Sequence, residues 1–153
     1  MRPLILALSL LSGSALAADF SPAATPAPQD PVLERYAAAK ARQDWDGAAA
    51  SLRQALARDP GNADYHNLYA YSVRKGRNPD MNLVFKHYSE ALRIDPKHRG
   101  AHEYIGEAYL MAGDVAKARE HLDALDGLCF FGCEEYSDLK KAIAEHEART
   151  AKR

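Results

Sequence analysis

The chain has 153 residues, with 20 basic and 21 acidic side chains, a formal net charge of −1 and two cysteines. Its length suits one domain. So balanced a charge supplies no excess positive field, which argues against nucleic acid or anionic lipid as a partner.

Residues 1–17 read as a secretory signal. Arg2 gives a short positive start, Leu4 to Leu11 is apolar apart from Ser9, and Ala15-Leu16-Ala17 fits the small-x-small cleavage rule. The apolar run is much shorter than the roughly 20 residues that a membrane span needs. Nothing later in the chain is apolar enough to cross a bilayer, so no membrane span is expected in the mature chain. The expected location is the bacterial periplasm or the exterior.

Residues 18–30 carry Pro22, Pro26 and Pro28 among Ala, Ser and Thr. They hold too few apolar groups to bury and too many prolines for a helix, so a disordered or extended linker is expected. The folded part, residues 31–153, begins at Pro31, a good first-turn residue for a helix.

From Val32 onward, alternating β-branched runs are scarce and apolar residues recur at helical spacing. The segment from Gln54 to Pro60 returns as Glu90 to Pro96, 36 residues later. A helix end that returns at this interval indicates stacked helical repeats. The first unit, about Pro31 to Asp59, places one helix up to about Gln43 and a turn at Asp44-Trp45-Asp46-Gly47. Asp44 or Asp46 is the N-cap of a second helix that carries Ala48, Leu52, Ala55 and Leu56 on one face. Pro60 disfavours helix at Asp59, and Gly61 is available for positive φ. The second unit, about Ala63 to Asp95, has an inner stripe of Tyr65, Leu68, Tyr69 and Ser72. A longer turn around Pro79 follows, then a helix with Leu83, Val84, Tyr88, Ala91 and Leu92. The third unit, about Arg99 to Leu125, turns at Ala112-Gly113-Asp114, and its second helix is lined by Ala118, Leu122 and Leu125. Gly106 inside its first helix costs about 1 kcal/mol against alanine, which makes sense where another helix crosses at close range. Residues Glu134 to Thr150 form a last helix, with Tyr136, Leu139 and Ile143 on one face. It is placed to cover the apolar end of the stack.

The third unit resembles a tetratricopeptide repeat. Ile105-Gly106, Tyr109, Ala118 and Leu122 match that family's order and spacing, and the Asp-Pro ends of the first two units match as well. In the first unit Ala48, Leu52, Ala55 and Pro60 fit, although its first helix matches poorly. In the second, Tyr69-Ala70, Val84, Tyr88, Ala91 and Pro96 fit with two extra residues in the turn. The resemblance covers about residues 31–126. It implies an all-α fold, an α-solenoid of about three helix-turn-helix repeats plus a C-terminal capping helix. The run Cys133-Glu134-Glu135-Tyr136 after the array also resembles small exported tetratricopeptide proteins of bacteria.

In such stacks the first helices line a concave face where peptides usually lie. The resemblance therefore assigns Asn67, Tyr71, Arg74 and Lys75 to the groove, with Glu103 and Glu107 from the third unit and Lys40 from the first. Asn67, Arg74 and Lys75 are candidates to hold a peptide carboxylate or backbone, and Tyr71 to pack on an apolar side chain. The alternative is a solvated charged face on which Arg74 pairs with Glu107. The glutamates of the third unit argue against a C-terminal carboxylate as the ligand.

Cys129 and Cys133 lie between the last repeat and the capping helix. In an exported protein an even count favours a disulfide, and Gly132 gives so small a ring its flexibility. The alternative is a redox or copper-binding pair, since thiolates favour soft metals. Glu134 and Glu135 would raise a thiol pKa and argue against a reactive thiolate. His98 and His102 are four apart, a spacing that zinc sites use. However, His66 and His102 stand one 36-residue repeat apart, which favours equivalent packing positions. There is no Gly-x-Ser-x-Gly elbow and no glycine-rich phosphate loop.

The expected function is thus a non-catalytic protein- or peptide-binding scaffold or assembly factor in the periplasm, with no catalytic residues, no metal and no cofactor. The alternative is a periplasmic redox or copper-handling protein built on Cys129 and Cys133. Self-association through the end of the stack is a further source of stability for so short an array.

Overall fold

The computed structural model describes residues 30–152 and contains seven α-helices. The expected signal segment and the linker up to residue 29 lie outside the described residues. In chain order the helices are α1 (Pro31–Ala41), α2 (Trp45–Leu56), α3 (Ala63–Lys75), α4 (Met81–Ile94), α5 (Arg99–Met111), α6 (Val115–Leu128) and α7 (Glu134–Thr150). Each packs against its neighbours in sequence, and α5 also packs against α3 and α7. The result is the expected solenoid of three helix-turn-helix units closed by a seventh helix.

Short-range chemistry sets the helix starts. Asp30, Asp44, Asn62, Asp80, His98 and Asp114 each cap a helix through a side-chain acceptor to a backbone N–H of the first turn. Such caps satisfy donors that the helix itself leaves unpaired. α7 lacks a side-chain cap and instead carries Glu134 and Glu135 in its first turn, where the helix dipole favours negative charge. Asp30, placed at the end of the linker by its sequence, belongs to the fold. It accepts from Val32 N at 2.7 Å and from the Tyr65 hydroxyl at 2.5 Å, which ties the start of α1 to α3.

The core runs along the stack in three layers. Val32, Tyr36, Leu52, Ala55 and Tyr69 fill the space between α1, α2 and α3. Ala70, Val84, Tyr88, Ile105 and Ala108 fill the next, between α3, α4 and α5. Leu110, Ala118, Leu125, Leu139 and Ile143 form the last, where α7 covers the end of the array. Gly106 is buried where α7 crosses α5. A Cβ there would stand 2.7 Å from both methyl carbons of Leu139, so the missing side chain is what lets the capping helix approach.

The turns differ from expectation in one respect. Gly61 does not take positive φ, whereas Gln43 does, at 56°. Gln43 sits in the turn between α1 and α2 as Gly113 (φ 81°) sits between α5 and α6. In both turns the following aspartate N–H donates to a carbonyl five residues back, Ala39 O or Tyr109 O, at 2.9 Å. The repeated turn demands a left-handed residue, and the first unit supplies a glutamine. The second helix of the third unit also runs three residues beyond the expected Leu125, to Leu128.

Candidate functional site

The odd-numbered helices share one face, and that face carries two clefts. One, of about 340 Å³, is lined by Lys40 of α1, Asn67 and Leu68 of α3, Gly100, Glu103 and Tyr104 of α5, and Glu134, Glu135 and Asp138 of α7. The other, of about 250 Å³, lies among Arg74, Glu107, Leu110, Met111 and the second half of α7. Of the expected groove residues, Lys40, Asn67 and Glu103 line the first cleft and Arg74 and Glu107 the second, while Lys75 lines a separate hollow beside Trp45. The cap helix supplies one wall of both clefts.

An aromatic ledge crosses the groove. The half-buried Tyr71 ring meets Trp45 edge-on at a centroid distance of 5.6 Å and tilts against Tyr104 at 4.7 Å. Three cations surround Tyr71: Arg74 Cζ at 5.3 Å, Lys40 Nζ at 5.9 Å and Lys75 Nζ at 6.0 Å from its centroid. These are cation–π distances. Trp45 and Tyr104 were assigned to a turn and a repeat helix, and only the superposition of successive units brings them to the ledge.

Arg74 is not free to take a ligand carboxylate. It is buried, its Nη2 donates to Glu107 Oε2 at 2.6 Å, and its Nε donates to the Tyr88 hydroxyl at 3.3 Å. Burial holds the Tyr88 hydroxyl well above its ordinary pKa, so it stays protonated beside the guanidinium. The Arg74–Glu107 pairing weighed from the sequence is the arrangement present.

Glu103 is the opposite case. It is 8% exposed and makes no hydrogen bond or ion pair among the described residues. Burial pushes its carboxyl up to about 8, and the negative charges of Glu107, Asp138 and Glu135 add to the rise against Arg74. Asn67, 4% exposed, lines the same cleft, and its Oδ1 has no hydrogen-bond partner among the described residues. At the rim, Glu135 pairs with Arg99 at 3.6 Å.

The histidines form a repeated structural device. His66 Nε2 lies 3.0 Å from Pro60 O and its Nδ1 lies 2.8 Å from His87 Nδ1. One repeat later, His102 Nε2 lies 3.1 Å from Pro96 O and its Nδ1 lies 3.0 Å from His121 Nδ1. In each pair one neutral ring donates to the other. Burial, then the partner histidine, lowers His87 and His121 to about 4. His98 caps α5 and reaches Asp64 at 3.1 Å, so it does not join His102. Among the described residues no three His, Cys, Asp or Glu side chains are placed to hold a metal ion together. The sulfurs of Cys129 and Cys133 stand at a bonded spacing, with Cα atoms 5.6 Å apart. The loop they close presents Phe130 and Phe131, 89% and 97% exposed.

The model of the family described as tetratricopeptide repeat matches residues 36–80 and 86–129. An inactive tetratricopeptide repeat-containing thioredoxin of Arabidopsis thaliana is 31% identical over 101 residues, which cover 65% of this chain and 14% of that protein. The chain thus corresponds to a small part of that relative. Among solved structures, the TPR2B domain of yeast Sti1 in its pHsp70 complex superposes with a TM-score of 0.67 at 17% identity. The match covers 77% of this chain and 94% of that one.

Proposed function

Because the chain belongs to the tetratricopeptide repeat family, we propose that it is a non-catalytic protein- or peptide-binding scaffold or assembly factor of the bacterial periplasm. The observation that carries this reading is the groove of the odd helices. It combines an aromatic ledge at Tyr71 and Tyr104 with polar groups at Asn67 and Glu103 that have no partner among the described residues. Rigid aromatic surface supplies contact area at low entropic cost, and unpartnered polar groups give orientation. The Sti1 domain that shares the fold was solved in a complex with pHsp70, which supports a protein partner here.

Export rests on residues 1–17, and the Cys129–Cys133 disulfide is proposed with it. The copper alternative for that pair has less support, because no third ligand stands with the two sulfurs among the described residues.

A photo-crosslinker placed at Lys40, exposed on the rim of the groove, tests the reading in cells. The expected result is a discrete crosslinked partner that is absent when the crosslinker is moved to Ser89, exposed on α4. Equal crosslinking from both positions would overturn the groove as the binding surface.

A further inference from the structure

We propose that the cleft between α3, α5 and α7 seats the cationic head of a lysine or arginine side chain carried by an extended segment of the partner. The inference rests on the groove reading above and names the chemistry that the groove selects.

The charge inventory of the groove points this way. Arg74 is committed to Glu107 and Tyr88, so the strongest cation of the face is already neutralised. The other cleft is acidic, with Glu134, Glu135 and Asp138 of α7 converging on the buried Glu103 of α5. Lys40 at the rim and Arg99, paired to Glu135, offset part of that charge. Acidic side chains on a surface are ordinarily solvated and mean little. Glu103 differs, because it is 8% exposed, lines an open cleft and has no partner among the described residues.

Asn67 provides an independent second indication. The residue is 4% exposed and lines the same cleft, and its Oδ1 is buried without a donor among the described residues. A buried acceptor left unmade is costly, and native structures rarely tolerate one without a reason. Once ionised, the Glu103 carboxylate is an acceptor like the Asn67 oxygen, so the ligand that draws out that form is a donor. An ammonium offers three N–H groups and a guanidinium five, without any acceptor of its own. A ligand carboxylate would bring more acceptors and more negative charge. A bare metal ion is disfavoured, since these oxygens do not form a metal-holding group.

Glu103 also gives the site a proton-linked signature. Its carboxyl is held largely protonated at neutral pH by burial and by its acidic neighbours. An arriving cation favours the ionised form, so the carboxyl O–H breaks and the proton leaves to buffer as the ion pair forms.

The test selects random heptapeptides from a phage-displayed library on the full mature protein and measures one enriched peptide by calorimetry. The expected peptides carry Lys or Arg at a fixed position, and its replacement by Gln weakens binding at least tenfold. Glu103→Gln produces the same loss, and Glu90→Gln on α4 produces none. Titration at pH 7 in phosphate and in Tris shows proton release with the native chain and none with Glu103→Gln. Separate arms with the Lys and Arg forms of the peptide distinguish ammonium from guanidinium. Peptides that crosslink at position 40 but lack a required basic residue, or that bind Glu103→Gln undiminished, overturn this inference and leave the groove reading standing. Peptides that never crosslink at position 40, or a library with no enrichment, overturn both.

Discussion

Replacing Glu103 by glutamine should stabilise the protein, and the gain should depend on pH. The carboxyl titrates at about 8 in the folded chain against 4.5 for an unperturbed glutamate, because burial and acidic neighbours penalise its charge. Below pH 4.5 both folded and unfolded chains hold the proton, and the native residue carries no penalty. As pH rises from 4.5 to 8 the unfolded chain ionises first, so the native protein loses stability across that window and no further above it. The full shift corresponds to roughly 5 kcal/mol at about 1.4 kcal/mol per unit. Since the carboxyl faces an open cleft where water screens it, about 1–2 kcal/mol is the realistic gain. For a domain of this size that raises Tm by about 4–8 °C. Glutamine keeps the shape of the side chain, so its packing is retained. Thermal melts of both proteins from pH 5 to pH 9 measure the difference directly, and the histidine contributions cancel between them. A difference that is flat over this range, or a variant less stable than the native chain at pH 9, would refute the reasoning.

Four further outcomes are expected. Gly106→Ala should destabilise by about 1 kcal/mol, the overpacking against Leu139 outweighing the helix-propensity gain, and Gly106→Val should cost more; chemical denaturation with α7 intact checks both. Gln43→Gly should stabilise by about 0.5–1 kcal/mol by relieving the left-handed glutamine, with a higher denaturation midpoint as the readout. His87 and His121 sit near 4 in the fold, below their unfolded value of 6.5, so their contribution is complete above pH 6.5 and is lost as pH falls toward 4. Both rings are partly exposed, so the loss is about 1 kcal/mol each, and a His87→Phe/His121→Phe double variant should show a shallower acid limb in pH-dependent melts. Cys129 and Cys133 should resist alkylation in protein purified without reductant until reductant is added, and reduction should lower stability by at most about 2 kcal/mol, read by intact mass and by melting.

Much of the architecture is written in local chemistry. Prolines at 60 and 96, the cap residues Asp44 and Asp114 and the apolar spacing of Leu52, Val84 and Tyr88 act within one or two turns of helix, so their meaning survives in a linear string. The same holds for Gly106, whose place inside a helical run pointed to a close helix crossing, and α7 is the helix that crosses there. The equivalence of His66 and His102 could also be read from their spacing, and each does contact the proline carbonyl six residues before it.

The binding face was only half legible. Its residues were assigned by repeat position, and the structure does bring Lys40, Asn67, Tyr71, Arg74, Glu103 and Glu107 to one surface. Their charge states were not legible, because they depend on which groups meet across about 33 residues of chain. Arg74 is spent on Glu107 and Tyr88, while Glu103, four residues before Glu107 on the same helix, has no partner among the described residues. α7 was read as a cover and proves to be a groove wall as well, since the solenoid turns each first helix toward the same side and the seventh follows that rule. The linear chain thus determined the helices, the turns and the repeat. Only the stacking of units decided which polar groups are paired and which remain open to a ligand, because pairing follows distance in space and not position in sequence.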